Sequence, residues 1–186
     1  VKTADRLVRV DPKHLPALRA KAKALLGMNN PAEALKSVDR ALDIDGANRD
    51  LLYEKVEVLD ALHGDAGIVL TCKRILELEP KSKRALKSMA LSLERMHSHA
   101  EALDSYNRAL AFDPHDVTLW RGMGLLLGRM GRYRDAIEAF RRALEEVPGD
   151  KQSLNSLGMA HAALDEFPEA MISYEQAIEI DAKFIE

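Results

Sequence analysis

The sequence predicts an all-α fold built from stacked helix pairs, and three observations predict it. Aromatic residues make up only 5% of a chain that is 47% hydrophobic and 31% charged, and runs of Val, Ile and Thr are few, a composition that favours helices over strands. Prolines stand at 12, 80, 114 and 148, so the gaps are 68, 34 and 34 residues and a 34-residue unit recurs. Within each unit apolar residues return at steps of three and four, twice over, which is the pattern of two amphipathic helices.

Other side chains keep the same period. One column reads Ala34, Ile68, Ala102, Ala136, Ala170; a second reads Leu7, Ala41, Ile75, Ala109, Ala143, Ala177. A third holds Ala4, Val38, Cys72, Tyr106, Phe140, Tyr174, and a fourth Leu18, Leu52, Leu86, Trp120, Leu154. A period of this length marks an array in which each unit buries its apolar face on the next.

The elements follow in order. Residues 1–10 read as the second helix of a half repeat over 1–14. Full repeats of two helices each then occupy 15–48, 49–82, 83–116, 117–150 and 151–184, giving eleven helices in one array over 1–186 with no linker. In 15–48, Pro16 and Pro31 fall in first turns, where a missing N–H costs little, and Asn30 of "NNPAEAL" is the cap of the second helix. Repeat 49–82 departs most: Lys55 and Val56 on the first helix, Ile68 and Ile75 in otherwise small columns and Gly67 inside the second helix predict altered spacing and lower stability. In 83–116, "SHAE" at 98–101 reads as a capping box. His97 and His99, two residues apart, share no helix face and read as a solvated turn rather than metal ligands. Cys72, in the column of Phe140, reads as a buried apolar residue, and His161 as a packed one.

Repeat 117–150 contains "GMGLLLG", whose glycines raise the question of a dinucleotide-binding turn. Such a turn follows a strand and opens a helix; here "AFDPHDV" precedes, and the glycines lie within a helical pattern. Gly124 reads as a packing glycine against the small Ala136 column. Gly122 and Gly128 each cost a helix about 0.5–1 kcal/mol relative to Ala. They read as tolerated drift, with close approach of a ligand to bare backbone as the alternative.

These residues resemble the tetratricopeptide repeat family, whose signature is Trp-x2-Leu-Gly-x2-Tyr, then Ala-x3-Phe, Ala and Pro. Trp120, Met123, Gly124, Leu127, Ala136, Phe140, Ala143 and Pro148 fill it in one repeat; Leu154, Leu157, Gly158, His161, Ala170, Tyr174 and Ala177 fill it in the next. The resemblance implies a right-handed αα superhelix, or solenoid, whose first helices line a concave groove that takes peptides or protein segments. It also implies which residues face that groove. Arg84, Lys87, Leu91 and Arg95 come from the third full repeat, Arg121, Leu125 and Arg129 from the fourth, and Asn155 and Met159 from the fifth. Arg19, Lys23 and the acids Asp50, Glu54, Glu57 and Asp60 precede them, so the wall is expected to be banded in charge, with Leu91, Leu125 and Met159 as an apolar row. The lysine–asparagine clamp of chaperone-binding members is not matched, since Glu54 stands where an asparagine belongs. Nor is the asparagine ladder of sugar-transferring members, whose column here is Ala20, Glu54, Ser88, Gly122, Ser156.

The expected function is therefore a non-enzymatic scaffold that binds a protein or peptide segment, one with acidic residues around a few large apolar ones. No catalytic constellation, cofactor site or metal site stands out. A net charge of -3 with interspersed signs gives no global field for nucleic acid. No apolar stretch approaches the roughly 20 residues that span a bilayer. A single cysteine fits a reducing compartment, and a cytoplasmic location is expected. The chain opens without Met and inside a helical pattern, as a piece of a longer protein would. Two alternatives stay open: a module that self-assembles through its terminal helices, where Met171, Tyr174, Ile178, Phe184 and Ile185 would form an apolar end, or the regulatory array of a larger enzyme.

Overall fold

A computed structural model describes residues 1–182, and among them the chain forms eleven α-helices. Phe184 and Ile185 lie outside the described residues. Two compact units divide the chain, one from Val1 to His97 and one from Ser98 onward. The first contains α1 (Lys2–Val10), α2 (Leu15–Gly27), α3 (Pro31–Ile44), α4 (Arg49–Ala61), α5 (Asp65–Leu78) and α6 (Lys83–Arg95). The second contains α7 (His99–Phe112), α8 (Val117–Arg129), α9 (Tyr133–Glu146), α10 (Lys151–Ala162) and α11 (Phe167–Ala182). Within each unit consecutive helices pack on one another.

Local chemistry repeats with the period. The first helix of each pair, α2, α4, α6, α8 and α10, is capped by a side chain at His14, Asn48, Ser82, Asp116 and Asp150, each accepting from a backbone N–H of the first turn. The turn inside each pair passes through one left-handed residue, Asn29, His63, His97, Gly131 or Asp165, with φ between 53° and 74°. A helix that reverses in so few residues needs that conformation just past its end. His97 is thus a turn residue, and His99 starts α7.

The capping box expected at 98–101 does not form, because Ser98 makes no side-chain capping bond. After a left-handed turn residue the cap has ψ of 59–67° rather than 89–107° as in the first helices. Asn30, with the longer side chain, still accepts from Glu33 N–H at 3.3 Å, whereas the shorter Ser98 does not reach.

The core is the set of columns read from the sequence. Ala34, Ile68, Ala102 and Ala136 are fully buried, as are Ala41, Ile75, Ala109 and Ala143. In repeat 49–82 the bulky Ile68 and Ile75 are accommodated in the core, and the α4–α5 contact is less extensive than that of α8 and α9. Gly67 helps: a Cβ there would stand 3.1 Å from Leu59 Cδ2. Cys72 sits in the same core, and burial pushes its thiol up to about 12, so it stays protonated and inert.

Gly124 is a packing glycine, but its partner differs from the one expected. A Cβ on Gly124 would lie 2.6 Å from Phe140 Cε1, and one on Gly158 would lie 2.6 Å from Tyr174 Cε1. The bare backbone accepts the flat face of a ring from the second helix; the Ala136 column is not the nearest contact. Gly122 is neither drift nor ligand-facing: its Cβ would stand 2.7 Å from Tyr106 Oη, on the ring of the preceding second helix. At Gly128 a Cβ would meet nothing within 4 Å.

Candidate functional site

Each unit carries a pocket on its first helices. In the unit from Val1 to His97 a pocket of about 560 Å3 lies between α2, α4 and α6, with Arg19, Lys23, Tyr53, Glu54, Glu57 and Arg84 among its walls. In the unit from Ser98 onward a pocket of about 400 Å3 lies between α8, α9 and α10, walled by Gly124, Leu125, Gly128, Arg129, Tyr133, Phe140, Ser156, Met159, Ala160 and Ala163.

The first pocket is a lattice of ion pairs. Arg19 reaches Glu54 Oε1 at 2.5 Å through Nη2 and at 3.0 Å through Nε, with Asp50 at 4.0 Å. The Glu54 hydrogen bond raises the Arg19 guanidinium above its ordinary value, against the opposing effect of burial. Arg84 pairs with Glu57 at 2.7 Å and lies over the Tyr53 ring, 4.3 Å from its centroid. Tyr53 Oη in turn shares a hydrogen bond with Ser82 Oγ, the cap of α6. Farther along α6, Arg95 donates to Asp65 at 2.6 Å and to Asp60 at 3.0 Å.

The banded free charge expected from the sequence is therefore corrected. Asp50, Glu54, Glu57 and Asp60 all face arginines from the repeats on either side, so the acidic band and its basic neighbours neutralise each other. A 34-residue repeat offsets successive charges by one helix pair, which brings opposite bands within reach. Lys87 is half-buried on α6, and Leu91 is 41% exposed there.

Arg121 is also corrected. Its Nη1 donates to both oxygens of Asp150 at 2.9 and 2.8 Å, with the two side chains only 22% and 17% exposed. Asp150 caps α10 and accepts from Ser153 Oγ at 2.5 Å. Burial raises the Asp150 carboxyl, but Ser153 and Arg121 together outweigh that and hold it below its ordinary value. Arg121 thus clamps α8 to the start of α10.

The second pocket brings together Leu125, Arg129 and Met159 of the expected site residues. Asn155 sits beside them, its amide 4.0 Å from the Met159 sulfur. Leu125 and Met159 are 40% and 60% exposed despite being large and apolar. Ser156 belongs to a column expected to face the groove, whereas Tyr133, Ala160 and Ala163 were not anticipated in the sequence. The signal for them is the Gly128 column, which reads Leu26, Asp60, Glu94, Gly128, Ala162: the missing side chain at Gly128 leaves the space. His161, at the end of α10, is 5% exposed and holds Glu166 through Nδ1 at 2.7 Å, which ties it to the turn before α11. Among the described residues no His, Cys, Asp and Glu group is arranged to hold a metal ion, and no helix is long and apolar enough to cross a membrane.

Comparison with known proteins agrees with this architecture. A tetratricopeptide-repeat family model matches residues 121–183. MamA from Desulfovibrio magneticus RS-1, from its residue 41 onward, superposes with a TM-score of 0.82 at 20% identity, covering 91% of this chain and 96% of that one. YrrB, described as a TPR protein with an unusual peptide-binding site, superposes with a TM-score of 0.74 at 18% identity, covering 95% and 91%. No curated protein sequence matches the chain. At these identities the likeness is one of fold: residues 121–183 match the tetratricopeptide repeat, and the chain has the helix-pair fold of the solenoid class.

Proposed function

We propose that this chain is a non-enzymatic scaffold that binds a peptide or protein segment along its first helices. One large apolar side chain of that segment anchors in the pocket beside Leu125, Gly128 and Met159. The observation that carries this reading is the open space over Gly128, a mostly apolar cleft of about 400 Å3 kept free by a missing side chain. Burying one Leu, Met or Phe there contributes about 1.5–3 kcal/mol. Arg129 and Asn155 at the edge orient the segment, and acidic residues flanking the anchor suit Arg129. Arg84, Lys87, Leu91 and Arg95 form the corresponding wall on α6. Because Arg84 and Arg95 already hold carboxylates, an acidic segment there exchanges one ion pair for another, and the apolar anchor supplies most of the affinity. The fold likeness to a peptide-binding repeat protein supports the same reading. The buried, protonated Cys72 suits a reducing compartment such as the cytoplasm.

A library of short random peptides displayed on phage tests this. Selection on the intact chain should return sequences with a large apolar residue at one fixed place, next to acidic ones. Gly128→Leu should abolish their binding while leaving helicity and melting temperature intact, since its Cβ meets no atom. Peptides that bind the Gly128→Leu chain equally well would remove the pocket from the site.

A further inference from the structure

The glycines inside α8 and α10 have a common use. Where a Cβ on Gly122 would stand, Tyr106 Oη lies 2.7 Å away; on Gly124 it would meet Phe140 Cε1 at 2.6 Å, and on Gly158 Tyr174 Cε1 at 2.6 Å. Bare backbone on these helices is a seat for an aromatic ring. Gly128 is the exception, since a Cβ there would meet nothing within 4 Å. Its pocket lies between α8, α9 and α10, and α11 follows all three, so the opening comes from the missing side chain. The rest of the wall also suits a ring. Met159 offers a thioether, which attracts an aromatic edge, and Arg129 offers a guanidinium, which attracts an aromatic face. Arg84 over the Tyr53 ring, 4.3 Å from its centroid, is the same pairing elsewhere in the chain.

Two hydroxyls in that wall narrow the choice of ring. Tyr133 opens α9 and Ser156 lies within α10; both are half-buried, and neither hydroxyl has a partner among the described residues. Other helix serines use theirs: Ser37, Ser105 and Ser173 each donate to the carbonyl four residues earlier, at 3.1, 2.8 and 2.9 Å. A hydrocarbon side chain filling the pocket would strip water from Tyr133 and Ser156 and return no hydrogen bond, which is costly. An indole N–H only donates, so it satisfies one hydroxyl. A phenol donates one bond and accepts another, so it satisfies both.

We propose that the pocket selects tyrosine, with the ring seated on Gly128 and the phenol oxygen bonded to Tyr133 Oη and Ser156 Oγ. The inference rests on the reading that this pocket takes the anchor side chain of a bound segment, and it names that side chain. Gly128 decides whether a side chain enters; Tyr133 and Ser156 decide which one.

The probes are the N-acetyl amides of tyrosine, phenylalanine, tryptophan and leucine, titrated into the intact chain and read by amide chemical shifts at Gly128 and Ser156. The tyrosine amide should bind most tightly. Its preference over the phenylalanine amide should fall about fivefold with Ser156→Ala and about fivefold with Tyr133→Phe. Comparing that preference between parent and variants cancels the different hydration of the two ligands. Both variants should keep the parent melting temperature, because neither hydroxyl bonds within the described chain. Gly128→Leu should block all four ligands. An unchanged preference in both variants, or a tryptophan or leucine amide that binds as tightly as the tyrosine one, would overturn the selection of tyrosine while block by Gly128→Leu still upholds the pocket. Binding that Gly128→Leu leaves intact, or no binding of any amide, would overturn the pocket and the selection together.

Discussion

The two pockets sit at equivalent places in the repeat and differ in what fills them. Between α2, α4 and α6 the walls are charged, and nearly every charge is held by one from an adjacent repeat. Between α8, α9 and α10 the walls are mostly apolar, and the space exists because Gly128 has no side chain. The difference separates two uses of one architecture. Arginines and acids on successive first helices come within hydrogen-bond distance and couple the repeats, leaving little field for a ligand. Glycines on a first helix either admit a ring from the second helix, as at Gly124 and Phe140, or leave a cleft, as at Gly128. The contrast also reassigns Arg121, which was expected on the groove wall and whose bonds belong to the joint between α8 and α10.

The largest expected effect sharpens the contrast between the two sets of ion pairs. Arg121→Glu removes two hydrogen bonds from the half-buried Asp150 and sets like charges together, so it should lower stability by at least about 1.5–3 kcal/mol. Arg84→Glu, at a pair whose members are 58% and 57% exposed, should cost only about 0–1 kcal/mol. Thermal melts of the two variants followed by circular dichroism decide; equal shifts would erase the distinction. Next come the glycines, which should move stability in opposite directions. Gly124→Ala forces a methyl against the buried Phe140 ring and should cost about 1–3 kcal/mol. Gly128→Ala enters open space and should gain about 0.5–1 kcal/mol from helix propensity. Urea titrations of both, measured as midpoints at constant slope, would expose a common sign. The smallest effect is in acid. The Asp150 carboxyl is held below its ordinary 3.8, so its contribution is complete above that value and fades as pH falls through the lower folded value. Melting temperatures taken down through that range should fall less steeply for Asp150→Asn than for the parent chain.

By itself the sequence determined what depends on local chemistry and on period. Eleven helices, the fully buried alanine columns, Asn30 as a cap and the turn at His97 all follow from neighbours a few residues apart, and the 34-residue spacing carries them along the chain. Leu125 and Met159 were legible as an apolar pair on one face for the same reason. The tertiary structure alone decided which charges meet and which glycines are filled. The bonds from Arg19 to Glu54, from Arg84 to Glu57 and from Arg121 to Asp150 span 27 to 35 residues. Whether such a pair closes depends on how far two long side chains reach across a helix joint, which no one-dimensional column records. The glycines obey the same limit: Gly122, Gly124 and Gly128 are identical in the sequence, and only a ring on the preceding helix, a ring on the following helix or the lack of any ring makes one a seat for Tyr106, one a seat for Phe140 and one the floor of a pocket.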